Sequence, residues 1–448
     1  MRTSTEKSRP GGQGSAPGAR QRILDAAREA FTTLPYSAAG IRAIASAAGV
    51  AHPLIFHHFG SKNGLFEEVA RELEDGLLPG LPPIMARAAA HHRPEELARE
   101  LLNHAFSHPG PFCVVMLNMG GTGRNKASLP GLSRAVRMQE ELAGLLVSGV
   151  LAGADKEDAE RYLSVLTAAL AHFVGAEFFH RRALGLEDQS AYRRWVEDVL
   201  VEVFSPATTA LAGGRPKEVD RLLSVCRKDA APRAKARRRA GARTKGEATK
   251  TRILTAARKI FSTRPYNAAS IRAIGRAGGF DFTLIHHYFP SKADLLAAVA
   301  REVFDEFLAA AETWHQGLAD RPPAELLALY THRALSHCVE HRQALGLLIH
   351  NIAQADRFGN LPGFEYITRF HEVVFNHMER LLPIRGAGDR LARWLYTLMT
   401  MAYTFVGAPD YPAASQELSP TSDAYRDWVL ETLLLTFLPA FFEIEKTA

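Results

Sequence analysis

Two short stretches carry the side chains best suited to touch another molecule. One is His52-Pro53-Leu54-Ile55-Phe56-His57-His58, followed by Ser61-Lys62; the other is Phe282-Thr283-Leu284-Ile285-His286-His287-Tyr288, followed by Ser291-Lys292. Imidazole nitrogens can hydrogen-bond a nucleobase, and a proline, a phenylalanine or a threonine methyl can lie against a thymine methyl. A lysine at the first turn of a helix can reach a phosphate while the helix N-terminus adds its own partial positive charge. Adjacent histidines also suggest metal or acid-base chemistry, but these lie inside a duplicated block that explains them better. A separate run, His337-Cys338-Val339-Glu340-His341, fits the H-x-x-E-H zinc pattern, yet no third ligand is evident, so ordinary helix or pocket polarity is the preferred reading.

The duplication positions everything else. Arg22–Glu72 aligns without a gap on Arg252–Glu302, with 29 of 51 positions identical. Apolar residues at helical spacing (Ile23, Ala26, Ala27, Ala30, Phe31) predict a helix over Gln21–Thr32 closed by Pro35, and its twin ends at Pro265. A second short helix over Ile41–Ala48 turns at Gly49, a third covers Pro53–His58, and Ser61 caps a fourth. Val50, Ile55 and Phe59, with Phe280, Ile285 and Phe289, fall at the spacing that anchors the third helix to its scaffold. The repeat continues more faintly: FVGA at Phe173–Ala176 returns at Phe405–Ala408, AYRRWV at Ala191–Val196 returns as AYRDWV at Ala424–Val429, and FSPA at Phe204–Ala207 returns as FLPA at Phe437–Ala440. A whole unit was therefore duplicated, and its remainder is helical in pattern.

A hydrophobic fraction of 47% over 448 residues supports sizeable cores. The net charge of +6 is compatible with a polyanionic partner, although its location matters more. From Arg227 to Arg252 there are eleven Lys or Arg against two acids and almost no large apolar side chain, which makes this stretch a basic linker, either a plain spacer or a DNA-tracking arm. Three cysteines without metal-type spacing make a disulfide framework improbable and favour a reducing cytoplasm. The N-terminal stretch lacks a signal-peptide pattern and the apolar runs are short for a membrane span, so a soluble protein without membrane contact is expected.

The series Ile44-Ala45-x-x-Ala48-Gly49-Val50-x-x-x-Leu54-Ile55-Phe56-His57-His58-Phe59-x-Ser61-Lys62-x-x-Leu65, and its second copy from Ile274 to Leu295, resemble the N-terminal signature of the TetR family of bacterial transcription regulators. The resemblance implies an all-α chain: two tandem units, each a helix-turn-helix domain followed by a helical ligand-binding and dimerisation domain, packed as an intrachain pseudo-dimer. The expected segments are an arm at 1–20, a first head at 21–72, a first regulatory domain at 73–212, a basic linker at 213–249, a second head at 250–302 and a second regulatory domain at 303–448. Position by position, the resemblance assigns His52, Pro53, Leu54, Phe56, His57 and His58, and Phe282, Thr283, Leu284, His286, His287 and Tyr288, to the DNA-facing region. Lys62, Lys292, Arg42 and Arg272 are expected on the phosphate backbone.

Departures from the family pattern matter. Phe56 lacks the hydroxyl that often grips the backbone there, and Ala39 and Ala269 replace a capping Ser or Thr for which Ser37, Asn267 or Ser270 could substitute. Ala51 lacks the capping oxygen that Asp281 keeps, so the first reading helix should be less well held than the second.

By the same resemblance each regulatory domain encloses a small molecule. Candidate linings are His104, His108, Cys113, Met116, Asn118 and Met119 in the first unit, and His337, Cys338, His341, His350 and Asn351 in the second. Nothing calls for a cofactor or a bound metal, and no phosphate-cradling glycine loop or nucleophile elbow supports an enzyme. The expectation is a cytoplasmic bacterial repressor, nucleoid-associated when bound, that is relieved by an unidentified effector. It would read a double-stranded operator whose two half-sites differ, with the heads about one helical turn apart, roughly 34–36 Å, or a multiple of it. Homodimerisation of the chain is left open. The rival reading is a helical ligand-binding or assembly protein whose heads have lost DNA affinity.

Overall fold

A computed structural model describes residues 18–119, 132–229, 244–264, 266–352, 362–382 and 388–447, and all regular structure among them is helical. Residues 1–17 of the expected N-terminal arm, Pro265, and the most basic part of the linker at 230–243 lie outside the described residues, as does the side chain of His350, while the last two residues of the expected arm already open the first helix. The first unit comprises α1 (Ala19–Thr33), α2 (Ile41–Ala47), α3 (Pro53–Phe59), α4 (Lys62–Leu77), α5 (Leu81–His91), α6 (Pro94–Ser107), α7 (Gly110–Asn118), α8 (Leu132–Val147), α9 (Lys156–Gly175), α10 (Glu177–Ala183), α11 (Gln189–Val199) and α12 (Ser205–Ala212). After α13 (Lys217–Lys228) the second unit repeats the order as α14 (Lys245–Phe261), α15 (Ile271–Gly278), α16 (Thr283–Tyr288), α17 (Lys292–Trp314), α18 (Pro323–Glu340), α19 (Arg342–Ile352), α20 (Phe364–Leu381), α21 (Gly388–Gly407), α22 (Asp410–Ser415) and α23 (Asp423–Thr447).

Proline placement explains the first of two differences in outline between the copies. Pro79, Pro82 and Pro83 fall where α17 runs on unbroken, and the first unit answers with a 3₁₀ turn at Leu78–Gly80 between α4 and α5. Ahead of Pro206, a π-helical turn at Leu200–Phe204 links α11 to α12, whereas α23 carries Pro439 within one continuous helix.

The faint sequence echoes turn out to be partners. Tyr192 of α11 donates its hydroxyl to the Phe173 carbonyl of α9 at 2.8 Å, and Tyr425 of α23 donates to the Phe405 carbonyl of α21 at 2.7 Å. AYRxWV thus closes on FVGA in both units, with Trp195 edge-on to Phe173 at 5.6 Å and Trp428 edge-on to Phe405 at 5.8 Å.

These helices also carry the contact between units, in which α9, α11 and α12 pack against α21 and α23. Its polar rim is reciprocal. Arg161 reaches Glu431 at 3.5 Å, and its counterpart Arg393 reaches Asp198, the counterpart of Glu431, at 3.9 Å. The apolar centre is large: Phe173, Val203, Phe204, Leu433, Leu435, Phe437 and Phe441 are all buried in one continuous core. The bent pair α9 and α10 owes its apolar character to this burial, and no single helix among the described residues is long and apolar enough to cross a membrane.

The expected linker begins with structure. Val219, Leu222, Leu223 and Cys226 form the buried face of α13, which lies on α18 and α23 of the second unit. Asp229 closes it with a two-pronged ion pair to Arg333 at 2.7 and 2.9 Å.

Deep in the interface runs a chain of polar groups. The Thr404 hydroxyl donates to the Thr400 carbonyl at 2.7 Å, so it must accept from His172 Nε2, 2.6 Å away. His172 Nδ1 is then the acceptor for His180 Nε2 at 3.2 Å, and His180 Nδ1 accepts from the Tyr396 hydroxyl at 2.8 Å. Both imidazoles are fully buried. Burial pushes the His172 pKa down to about 3 and holds His180 well below its usual value. A proton on His172 would also set its Nδ1–H against the Nε2–H of His180. Unfolded, a histidine takes its proton near pH 6.5, so this stability is complete above that pH and drains away as pH falls from there toward about 3. At pH 5 His172 should account for about 2 kcal/mol of lost stability. Urea midpoints at pH 7.5 and pH 5 should therefore fall less far apart for His172→Asn than for the parent; an equal fall would remove His172 from the cause.

Candidate nucleic-acid interface

Each head is built on a small apolar core that fixes one short helix. In the first, Ile23, Leu24, Phe31, Ile55, Leu65 and Val69 are completely buried; in the second, Ile253, Phe261, Ile274, Ile285, Leu295 and Val299 form the equivalent core. Gly49 at φ 62° and Gly279 at φ 66° make the left-handed turn between helices. The two copies solve the next position differently. Phe280 stands where the first head has Val50, and Gly278 stands where it has Ala48; a Cβ on Gly278 would lie 2.0 Å from the Phe280 ring. Arg22 and Arg252 each donate to the carbonyl closing the second helix, at Ala48 (3.2 Å) and Gly278 (3.4 Å).

On this support, His52, Pro53, Phe56, His57 and His58 are exposed on or beside α3, Phe56 to 46%. On α16 the exposed set is Thr283, His286 and His287. Arg42 and Arg272 are exposed on α2 and α15, the latter with its guanidinium 5.3 Å from the Phe282 ring centre. Leu54, Leu284 and Tyr288 are partly buried and pack on the head cores, so their place is chiefly structural.

The two lysines depart most from expectation. Lys62 donates to the Tyr36 carbonyl with its ammonium 4.4 Å from that ring's centre, and Lys292 donates to the carbonyls of Tyr266 at 2.8 Å and Ala269 at 3.0 Å, 4.1 Å from the Tyr266 ring centre. Desolvation lowers both pKa values. Rather than standing free for phosphate, each lysine clamps the turn between the first two helices of its head.

The same turn is held from the other side by residues that the sequence reading placed elsewhere. The Tyr36 amide donates to Asn118 Oδ1 and the Tyr266 amide to Asn351 Oδ1, each at 2.9 Å. Each asparagine is oriented by donating to a carbonyl one helical turn back, Val114 at 2.8 Å and Leu347 at 2.7 Å. One backbone unit in each head is thus gripped by the fourth helix of the head and by a regulatory helix, α7 or α19. The duplicated Pro-Tyr pair and the matching register of Asn118 and Asn351 were the available signal.

The remaining pocket candidates resolve into packing. His108 and His341 cap their helices by donating Nδ1 to the carbonyls of His104 at 3.0 Å and His337 at 2.9 Å, and the ring pairs lie 4.5 and 4.1 Å apart. His104 also bonds the Leu77 carbonyl at 2.7 Å, and Met116 is core. Burial and the neighbouring His341 bring the His337 pKa down to about 4. Among the described residues no group of three or more His, Cys, Asp or Glu could hold a metal ion. One cavity, beneath the second head, is apolar. Leu296, Ala300 and Phe304 of α17, Tyr366 and Phe370 of α20, and Asn351 line it, so Asn351 alone of the proposed pocket residues belongs there.

The model "Bacterial regulatory proteins, tetR family" matches residues 23–69 and again 253–299. The chain carries the TetR-family N-terminal domain twice, in tandem. Among curated relatives, the HTH-type transcriptional repressor AcnR of Corynebacterium glutamicum is 45% identical over 53 residues, 12% of this chain and 28% of that protein. The HTH-type transcriptional regulator UidR of Escherichia coli is 39% identical over 56 residues, 12% of this chain and 29% of that one. The chain therefore spans little more than a quarter of these relatives, and the shared part is the head. Among solved structures, a TetR-like transcriptional regulator from Rhodococcus sp. RHA1 is similar at 23% identity and TM-score 0.31, covering 41% of this chain and 92% of that one. PfmR, a TetR family transcriptional regulator from Thermus thermophilus, is similar at 17% identity and TM-score 0.31, covering 41% of this chain and 97% of that one.

The caps differ between these two TetR heads. Ser61 and Ser291 accept the amides of Gly64 at 3.0 Å and Asp294 at 3.1 Å, but at the second helix only Ser270 caps, accepting Ala273 N–H at 3.1 Å, while Gly40 offers α2 no side chain. Neither α3 nor α16 has a side-chain cap at its N-cap residue, His52 or Phe282, but just ahead of α16 Asp281 accepts the Thr283 amide at 2.8 Å, where the first head has Ala51. A missing cap costs ~1 kcal/mol. Amides of α3 should then exchange with deuterium about fivefold faster than those of α16, and Asp281→Ala should narrow the gap. Equal protection in the parent would refute the asymmetry.

Proposed function

We propose that this chain is a DNA-binding transcription regulator, a repressor released by a small molecule, whose two units form a pseudo-dimer that reads two unlike half-sites. The observation that carries the reading is the pair of short helices, each fixed by a buried core and each presenting a different exposed set: His52, Pro53, Phe56 and His57 in one head, Thr283, His286 and His287 in the other. Short helices of this kind enter the major groove and read base edges with three or four side chains. Arg42 and Arg272 supply phosphate contacts beside them.

For release, the apolar cavity under the second head suits an uncharged, largely apolar effector. It has a volume of about 80 Å³, so only a small molecule enters without displacing its walls. Its wall contains Asn351, which holds the Tyr266 turn, and α17, which begins at the Lys292 clamp. A molecule that shifts either one acts on the head through these hydrogen bonds.

Titration of the chain with its upstream DNA at several salt concentrations tests both parts. Each phosphate contact contributes about 0.9 to the slope of log affinity against log salt. Arg42→Ala and Arg272→Ala should each flatten the slope by about that amount, whereas Lys62→Met and Lys292→Met should weaken binding at unchanged slope. A steep loss of slope in the lysine variants would return those residues to the phosphates, and salt-independent binding by the parent would sink the function. In the same assay Ala300→Trp, which fills the cavity, should weaken operator binding about tenfold; unaltered affinity would disconnect the cavity from the head.

A further inference from the structure

The interface between the units carries a second kind of information. In a dimer of identical subunits, a residue on the two-fold axis faces its own copy. The register of FVGA at Phe173 and Phe405 makes Thr404 the counterpart of His172, and these two residues are hydrogen-bonded to each other at 2.6 Å. The contact therefore marks the local pseudo-axis, and it is occupied by two different residues. The rest of the buried chain has diverged likewise. Ser164 is the counterpart of Tyr396, and α22 has no histidine to match His180 of α10. Glu202 grips Arg393 with two bonds at 2.7 and 2.8 Å, while the second unit has Leu435 where the first has Glu202.

We propose that the two units recognise each other and reject their own copies, so that one chain is an obligate heterologous pair. This rests on the reading of the chain as a pseudo-dimer. Two copies of the first unit would bring His172 against His172 on the axis. In their present tautomer each Nε2–H would then point at another donor where a threonine oxygen now accepts, and a second imidazole would have to fit where a smaller side chain now stands buried. His180 would meet Ser164, too short to replace the Tyr396 hydroxyl, and would be left buried without its donor. Two copies of the second unit fail in the opposite way. Thr404 would face Thr404, each hydroxyl already given to its own Thr400 carbonyl, with a void where the imidazole was. Tyr396 would lose His180, and Arg393 would find Leu435 in place of Glu202. The rim pairs do not discriminate, because Arg161 with Asp198 and Arg393 with Glu431 would form in either homopair. Selectivity sits in the buried chain and in the Glu202–Arg393 pair. The α13 contact adds to it, since Arg333, which receives Asp229, corresponds to Glu100 in the first unit by the register of the two histidine pairs, and an acid there would repel that aspartate. Discrimination by unpaired buried groups against the wrong partner is the usual way such specificity is built.

The consequence is functional: the two different heads always arrive together, one of each. The test needs no DNA, so its failure is distinguishable from failure of the DNA-binding reading. A protease site is inserted between residues 230 and 243 of the full chain, the purified protein is cut, unfolded in urea, refolded by dialysis and weighed by native mass spectrometry. Pairs of unlike units should exceed either homopair at least about a hundredfold. A statistical mixture of pairs, or units that remain single, would overturn the proposal. His172→Thr, which takes the ring off the axis, should raise first-unit homopairs about tenfold; if their share does not change, the axial contact is not the discriminator.

Discussion

The molecule depends on one dry contact, the packing of α9, α11 and α12 against α21 and α23. Every buried polar group in its central chain must be satisfied there, because a low-dielectric interior gives no water to replace a lost partner. That condition fixes the order of protons from Tyr396 through His180 and His172 to Thr404, and with it the register of one unit on the other. Apolar burial supplies most of the adhesion, while the polar chain decides which surfaces adhere. The heads pack on α7 and α19, which pack in turn on α9 and α21 of this contact, so its geometry limits how far apart the heads can be.

A second constraint acts within each unit. The turn before the second helix of each head is pinned through one tyrosine backbone, its carbonyl by a lysine and its amide by an asparagine. The same solution survives in both copies although the surrounding residues have diverged, including the exchange of Ala48 and Val50 for Gly278 and Phe280. The lysine belongs to the head and the asparagine to the regulatory domain. Under the proposed function, movement of α7 or α19 would reach the turn before the second helix of each head through these hydrogen bonds.

What was legible in the sequence was local. The three helices of each head, the turn glycines and the serine caps follow from spacing and residue type within a few turns, and the structure places them within a residue or two of the expected ends. The FVGA and AYRxWV echoes were visible too, but that they bond each other is a long-range fact. The departures from expectation share a cause. Lys62 sits at a helix start, where a phosphate is an attractive partner, and nothing nearby in the sequence says that the Tyr36 carbonyl lies closer. The expected pocket linings are polar and sulfur-bearing side chains, whereas the apolar cavity beneath the second head is made of Leu296, Phe304, Phe370 and their neighbours, whose helical periodicity is indistinguishable from that of any core. The amphipathic face of α13 was apparent, but its docking on the opposite unit was not.

If two unlike heads are held in a fixed pair, the DNA they select must carry that difference. Selection of bound fragments from a random pool by the purified full-length chain measures it directly. The account predicts one site with two different half-sites in inverted orientation at a single spacing. A perfectly symmetric palindrome, or enrichment of one half-site alone, would contradict it.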